Sequence, residues 1–473
     1  MPALLLFADP PSHPLPFNSV PQRRHEDDPD RVSVRPPIQR TGASLGRDLI
    51  DVKCPPAPYT GGMERYLVGG AVRDRLLGLT PRERDWVVVG STPEAMHAAG
   101  YQPVGRDFPV FIDPRTGEEH ALARTERKSG HGHHGFEFHA SPEVSLEQDL
   151  ARRDLTINAM AETPDGELID PYGGRRDLDA GLLRHVTPAF AEDPLRVLRV
   201  ARFAARLHQL GFALAPDTRA LMGEIAASGE LEALSPERVW DETRRALEAP
   251  TPWVFFEVLL ECGALRVLFP EVHALFGVPA PRRWHPEIDS GVHTLLVVEQ
   301  AARLTNDLEV RFAALVHDLG KAATPPEQWP SHHHHGERGL PLIRDMAERL
   351  RIPNRYRDLG LMVSRWHILV HRSMQLRPGT IMKLLEGCDA FRRPERFEQL
   401  LLACEADVRG RTGLEQRPYP QADLLRACRE AAAAITGRDV DSERFRGPQF
   451  GEELNRLRTE AIAGRLEELR ATE

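Results

Sequence analysis

Glu83-Arg84-Asp85 places two carboxylates two residues apart, just ahead of the apolar run Trp86-Val87-Val88-Val89. In an extended strand alternate side chains share a face, so Glu83 and Asp85 converge while Arg82 and Arg84 point the other way. Such a pair is costly to hold together without a cation between the groups. A hard, oxygen-liganded Mg2+ that bridges substrate phosphates suits it. An isolated E-x-D is commonly a solvated turn, so its surroundings must decide. Upstream, Gly69-Gly70 separates Tyr66-Leu67-Val68 from Ala71-Val72-Arg73. A glycine turn between strand and helix lets main-chain N–H groups approach a phosphate without Cβ obstruction, at the positive end of the helix and within reach of Arg73.

Three further stretches carry chemistry. Arg152-Arg153-Asp154-Leu155-Thr156-Ile157-Asn158-Ala159 combines guanidiniums, a carboxylate and an amide able to grip phosphate oxygens and ribose hydroxyls; the competing reading is a charged helix cap. Glu192-Asp193-Pro194-Leu195-Arg196 leads into Arg199, Arg202 and Arg206, a basic stripe along one side of a helix. Val197, Leu198, Val200, Ala201 and Ala204 lie opposite. A solvated basic face is the ordinary explanation of such a stripe. After an acid pair and a proline, however, Asp193 and Arg196 also offer an acceptor and a donor to a base edge. Finally, His317-Asp318-Leu319-Gly320-Lys321 sits among His293, His332 to His335, His367, His371 and Asp407. These are nitrogen and oxygen ligands suited to a borderline divalent transition metal. The internal position and shortness of the His332 to His335 run distinguish it from an expression tag.

The elements that must position these groups divide the chain. Residues 1 to 62 are rich in Pro, Ser and Arg without apolar periodicity, which reads as a disordered or mis-assigned N-terminal extension. From Tyr66 the pattern predicts strand, glycine turn, helix (Ala71 to Leu77), strand (Asp85 to Val89), and a helix starting near Thr92-Pro93, with further strands at Phe108 to Ile112 and His120 to Ala123. After Pro194 apolar residues recur at helical spacing to the end, punctuated by proline breaks at 279 to 286 and Pro325-Pro326. The expected fold class is α+β: a small mixed α/β head (63 to 190), a helical neck and body (191 to 288), a helical domain carrying the histidines (289 to 392) and a C-terminal helical region (393 to 473).

Length and composition agree with this division. A chain of 473 residues exceeds what one core usually serves, and 41% hydrophobic with 28% charged residues belongs to a soluble globular protein. No apolar run approaches a membrane span, and the first residues lack a basic n-region, so a cytoplasmic location is expected. Five widely spaced cysteines without a C-x-x-C argue against a disulfide framework or a thiolate zinc site. The net charge of -9 excludes little, because nucleic-acid binding depends on local patches. Only four of the 61 basic residues are lysine, so position and not arginine content must carry the argument.

Taken together, Tyr66-Leu67-Val68-Gly69-Gly70-Ala71-Val72-Arg73-Asp74, Glu83-Arg84-Asp85, Arg153-Asp154-Leu155-Thr156-Ile157-Asn158-Ala159 and Glu192-Asp193-Pro194-Leu195-Arg196 closely resemble the motifs of class II tRNA nucleotidyltransferases, specifically the bacterial multifunctional CCA-adding branch, in order and spacing. The resemblance runs from Met63 nearly to the C-terminus. It implies a head of the polymerase-beta type and template-independent addition of C, C and A to tRNA 3′ ends from CTP and ATP. Glu83 and Asp85 would hold Mg2+, with Glu119 a third acid, and Gly70, Arg73, Arg153, Arg199 and Arg202 would contact the nucleotide. Asp193 and Arg196 would read the incoming base. The histidine-rich half resembles an HD-domain phosphohydrolase, which implies 2′,3′-cyclic phosphodiesterase, 2′-nucleotidase and phosphatase activity with a transition metal such as Ni2+. Its ligands would be His293, His317 and Asp318, joined by His335, His367 and Asp407. The expected partners are tRNA, CTP and ATP, with no membrane, the chain being a monomer or a homodimer. Two departures stand out: Glu83 where relatives often have Asp, and His367-Ile368 where they often have His-Asp. The rival reading is a bacterial poly(A) polymerase-like RNA adenylyltransferase built on a similar head.

Overall fold

The computed structural model describes residues 63–81, 83–104, 110–128, 136–281 and 287–471. The expected extension at 1 to 62, the side chain of Arg82 and the start of the strand expected at Phe108 lie outside them. The chain begins with β1 (Glu64–Val68), α1 (Gly70–Leu76), β2 (Asp85–Val89) and α2 (Pro93–Ala98), followed by β3 (Gln102–Val104), β4 (Val110–Ile112) and β5 (Glu119–Leu122). Then come β6 (Arg124–Lys128), β7 (Phe136–Ala140), α3 (Leu146–Ala151), β8 (Ala161–Glu162), β9 (Leu168–Ile169), α4 (Gly174–Asp179) and β10 (Leu182–Leu183). Seven of these strands form one mixed sheet in the order β3-β4-β5-β2-β1-β8-β9, while β6 and β7 pair apart from it.

Strand register makes the head informative. β2 runs antiparallel to β1 and parallel to β5, which sets Val68, Asp85 and Glu119 side by side across three strands. Val68, Val87 and Val88 are buried. Val87 and Val88 are neighbours on opposite faces of β2 and enter different apolar clusters, so this strand is covered on both sides. Thr92 caps α2 by accepting from the Ala95 N–H, as its Thr-Pro start predicts.

The remainder is helical apart from β11 (Ala213–Leu214), a two-residue strand that pairs with β10. α5 (Leu195–Leu207), α6 (Pro216–Ala227), α7 (Pro236–Leu247), α8 (Trp253–Glu261), α9 (Ala264–Leu268) and α10 (Pro270–His273) make the neck and body. α11 (Ser290–Leu304), α12 (Leu308–Val316), α13 (His335–Arg349), α14 (Asn354–His371), α15 (Pro378–Gly387), α16 (Pro394–Arg409), α17 (Pro420–Ala434) and α18 (Pro448–Ala471) follow. The largest apolar core runs without interruption from Leu155 through Phe256 and Phe312 to Tyr356, crossing the expected 288/289 division. A second core joins α12, α14 and α15 to α16, α17 and α18. Neck, histidine-bearing helices and C-terminal helices therefore share packing.

Candidate active sites

In the head, Gly69 has φ +68° and ψ −128°, backbone that an L side chain rarely adopts, and a Cβ there would lie 2.8 Å from Arg153 Nη1. Gly70, by contrast, begins α1 with only an ordinary contact, 3.5 Å, to Arg73 Nη2. The guanidinium of Arg153 lies over the glycine turn, donates to Asp149 at 3.2 Å, and keeps its buried Nε without a partner. A buried guanidinium N–H left open in this way fits an anionic ligand.

Asp85 meets this turn through its register with Val68. Burial raises its pKa above the usual carboxylate range, and the charges of Glu119 and Glu83 raise it further while Arg153 opposes them. That burial is partial, since Asp85, Glu83 and Glu119 all reach solvent. A carboxylate whose charge is disfavoured by two acidic neighbours beside a glycine turn fits a divalent cation with oxygen ligands.

The arginines expected to contact nucleotide divide. Arg73 is 1% exposed; it donates to Asp74 and, at 2.6 Å, to the Asn158 side chain. Burial of its charge requires those partners, so in this structure it braces the motif and does not face an open pocket. Arg196 is also buried and spends two donors on the carbonyls of Ala189 and Arg152. Arg202 bonds Glu242 at 2.5 Å and lies over the Phe203 ring. Arg199 forms a two-pronged pair with Asp154, at 2.8 and 2.7 Å, and Arg206 reaches Asp74. The stripe is thus not a solvated face: it ties α5 to the head through Asp154 and Asp74 and to α7 through Glu242. Asp154 is held well below the usual carboxylate range, burial being outweighed by Arg199 and the Asn158 hydrogen bond. Asp193 remains partly open, its two oxygens accepting from the Leu195 N–H (3.1 Å) and Arg238 (3.2 Å).

The histidine site is built by four helices and the turn after α12. His293 comes from α11, His317 and Asp318 from the end of α12, His335 from the start of α13, His367 from α14 and Asp407 from α16. Asp407 therefore brings α16, assigned from the sequence to a separate C-terminal region, into the site. Ligand atoms of His293, His317 and Asp407 lie within 4.8 Å of one another, as do those of Asp318, His335 and His367. Each histidine commits its Nδ1–H to a main-chain carbonyl: His293 to Gly410, His317 to Ala314, His335 to His332, and His367 to Val363 and Ser364. That hydrogen bonding turns every Nε2 inward.

These nitrogens crowd one another and the two carboxylates. His335 Nε2 lies 3.1 Å from His367 Nε2, and His293 Nε2 lies 3.1 Å from Asp407 Oδ1. His317 Nε2 and Asp318 Oδ1 are buried without a well-formed hydrogen bond. Such an arrangement is destabilising unless a cation sits among these atoms, so the residues fit a divalent metal with nitrogen and oxygen ligands. Burial pushes the His367 pKa down to about 3, so its imidazole is neutral and able to ligate. Asp318 is held well below its usual range: burial opposes ionisation, but His317 and Lys321 outweigh it.

Sequence reasoning named Lys321 and His371 without their partners and did not name Arg411 or Tyr419. Lys321 Nζ lies 2.6 Å from Asp318, and its position three residues on was the available signal. His371, one turn after His367, donates Nε2–H to Asp407 at 2.6 Å while its Nδ1 accepts from Tyr419. Arg411 is four residues after Asp407, a spacing that was available as a signal, whereas Tyr419 gave none. The His332 to His335 run divides, with His333 and His334 exposed and His332 bonding the Pro279 carbonyl at 2.7 Å.

Comparison with known proteins matches the segments that carry the two clusters. Residues 65–184 match the poly A polymerase head domain, 211–276 the probable RNA and SrmB-binding site of polymerase A, and 291–405 the HD domain. Over 400 residues the chain is 62% identical to the multifunctional CCA protein of Thioalkalivibrio sulfidiphilus (strain HL-EbGR7), covering 85% of this chain and 98% of that protein. The chain belongs to the multifunctional CCA protein family. The multifunctional CCA protein of Nitrosococcus oceani is 60% identical with coverage of 85% and 98%. Among solved structures, a CCA-adding enzyme in its apo form II aligns with TM-score 0.59 at 20% identity over 87% of this chain and 92% of the other. The Thermotoga maritima CCA-adding enzyme complexed with tRNA aligns with TM-score 0.54 at 20% identity, covering 87% and 91%. These structural likenesses establish the shared fold, a mixed-sheet head followed by helices. Asp407 lies just past the end of the matched HD segment. No helix of the described residues is long and apolar enough to cross a membrane.

Proposed function

We propose that this chain adds C, C and A to the 3′ end of tRNA from CTP and ATP without a nucleic-acid template, and that its HD centre hydrolyses phosphate esters as a 2′,3′-cyclic phosphodiesterase, 2′-nucleotidase and phosphatase. The observation that carries the transferase reading is the strand register that seats Asp85 between Val68 and Glu119, directly beside Gly69-Gly70 and under the influence of Arg153. Glu83, Asp85 and Glu119 are the residues that would hold Mg2+, which when bound supplies charge neutralisation at the reacting phosphates and activation of the attacking hydroxyl. In the reaction a bond forms between the tRNA 3′ oxygen and the α-phosphorus, and the bond to the leaving pyrophosphate breaks in line with it.

The chain's own residues bind and orient. Gly70 admits a triphosphate close to the backbone, and Arg153 offers its open Nε–H to a phosphate oxygen. Asp193, steadied by Arg238, presents an acceptor to the incoming base. Cytosine N4 and adenine N6 are both amine donors, whereas uracil and guanine show a carbonyl oxygen at the equivalent position, so an acceptor there favours C and A over U and G. Arg199, locked to Asp154, holds the nucleotide-gripping stretch against α5.

In the HD centre, His293, His317, Asp318, His335, His367 and Asp407 are the residues that would hold a transition metal such as Ni2+, which when bound polarises a phosphate and activates water. Lys321 and Arg411 keep Asp318 and Asp407 ionised. The partition into head, neck and body, HD region and C-terminal helices is functional, since the cores are shared. A poly(A) polymerase-like activity is the rival for the head alone; full-length relatives and the HD centre favour CCA addition. The test is purified protein with tRNA lacking its 3′ end, Mg2+ and each labelled nucleoside triphosphate in turn. Incorporation of CMP and then AMP is expected, and extension by AMP alone on many RNAs would overturn the reading.

A further inference from the structure

The loop that enters α11 brings a third carboxylate to the histidine cluster, beside Asp318 and Asp407. The side chain of Glu287 is 2% exposed, and its Oε1 lies 3.0 Å from His293 Nδ1, the same ring nitrogen that faces the Gly410 carbonyl at 3.1 Å. A carbonyl and an ionised carboxylate can only accept, so Nδ1 carries a proton. The opposite edge of the ring, Nε2, is the one turned toward Asp407 Oδ1 at 3.1 Å. A carboxylate taken out of water needs positive charge close by. Lys321 lies against Asp318 and Arg411 against Asp407, whereas the group facing Glu287 Oε1 is an imidazole. A divalent ion on Nε2 would supply that charge through the ring, by polarising the Nδ1–H bond.

The backbone beside Glu287 is strained. Ile288 has φ +63°, left-handed backbone that a β-branched residue rarely adopts, and its side chain is 38% exposed, so burial of the isoleucine does not account for the conformation. Across it the Asp289 N–H donates to the Glu287 carbonyl at 2.7 Å, closing a three-residue turn. The turn is tied down on both sides: the Ala280 N–H donates to the Ile288 carbonyl, and Asp289 accepts from the Val292 N–H at 2.9 Å and the Gly277 N–H at 2.6 Å. Its result is an apolar side chain sent outward and an acidic one sent inward, and strain held in this way clusters at functional sites. We propose that Glu287 is a positioning residue of the HD metal centre: acting on His293 Nδ1–H, it fixes that imidazole in its ligating orientation and strengthens the bond from Nε2 to the metal. The inference rests on the reading of this cluster as a metal centre.

The test is a double-mutant cycle on the full chain. Co2+ is titrated into metal-free wild type, Glu287→Gln, His293→Ala and the double variant, and binding is read from the visible absorption of the histidine-liganded ion. Glu287→Gln keeps the size of the side chain and an acceptor oxygen but removes the charge. It is expected to bind Co2+ about 10-fold more weakly, the loss typical of a partner that orients a metal-ligating histidine. Glu287→Asp, with the charge on a shorter stem, should fall between wild type and Glu287→Gln, and it carries the test if the glutamine variant does not fold. Because Glu287 acts through His293, the double variant should bind no more weakly than His293→Ala alone. Losses that add in the double variant would mean that Glu287 supports the site by another route, and would overturn the proposal. Equal affinity in wild type and Glu287→Gln would strike the positioning role while leaving the metal centre in place. If the wild type binds no Co2+ through its histidines, the metal-centre reading fails and this inference with it.

Discussion

Gly69→Ala and Gly70→Ala are expected to differ although the two glycines are adjacent. At Gly69 the backbone lies at φ +68°, ψ −128°, and the added methyl would meet Arg153 Nη1 at 2.8 Å. Strain in that backbone region costs ~1–3 kcal/mol. The Arg153 head can move, but moving it weakens its bond to Asp149. At ~2–4 °C per kcal/mol the melting temperature should fall by roughly 2–12 °C. At Gly70 the methyl meets nothing nearer than 3.5 Å on a residue already helical, so stability should stay within ~0.5 kcal/mol. Its methyl nevertheless projects where a triphosphate would approach. Gly70→Ala should therefore raise the KM for CTP and ATP with its melting curve unchanged, whereas Gly69→Ala should lower both stability and nucleotide addition. Thermal unfolding and steady-state nucleotide addition measure the two effects. Equal melting temperatures for Gly69→Ala and wild type, or an unchanged KM in Gly70→Ala, would refute the account of the turn.

Asp154→Asn should flatten acid unfolding. The carboxyl pKa is depressed in the fold, so its contribution is complete above the unfolded value near ~3.9 and lost as pH falls through and below it. Wild-type stability should thus fall more steeply than the variant's between about pH 5 and 2, with the variant less stable at neutral pH; parallel curves from denaturant titrations would contradict this. Asp193→Ala should loosen the choice of C and A over U and G by about 10-fold while leaving triphosphate affinity nearly unchanged, the worth of one charged hydrogen bond to a base. Incorporation ratios for the four nucleotides decide it.

What the sequence revealed follows physical locality. The strands Asp85 to Val89 and Tyr66 to Val68 were legible from apolar runs bounded by turn residues, although β1 starts two residues earlier, at Glu64, and the glycine turn was legible from its dipeptide. The pairing of β2 with β5, which brings Glu119 beside Asp85, depends on long-range register with no local signal. The basic stripe on α5 was visible by spacing, but its carboxylate partners, Asp74, Asp154 and Glu242, lie 132, 45 and 40 residues away. That is why a stripe resembling a solvated face is instead a set of paired charges. The HD ligands were identifiable by residue type, while the tautomer of each histidine is set by main-chain carbonyls that any residue could supply. Ile368 does not empty the site, because His371 on the next turn engages Asp407.

The central claim is that one chain houses two independent chemistries, and paired substitutions measured on the same preparations test it. Asp85→Ala should lower nucleotide addition on the order of 100-fold or more, the loss of a metal ligand, while leaving phosphate release from a cyclic nucleotide intact. Asp318→Ala should do the reverse. If either single change removed both activities in a protein that still melts like the wild type, the account of two separate sites would be wrong.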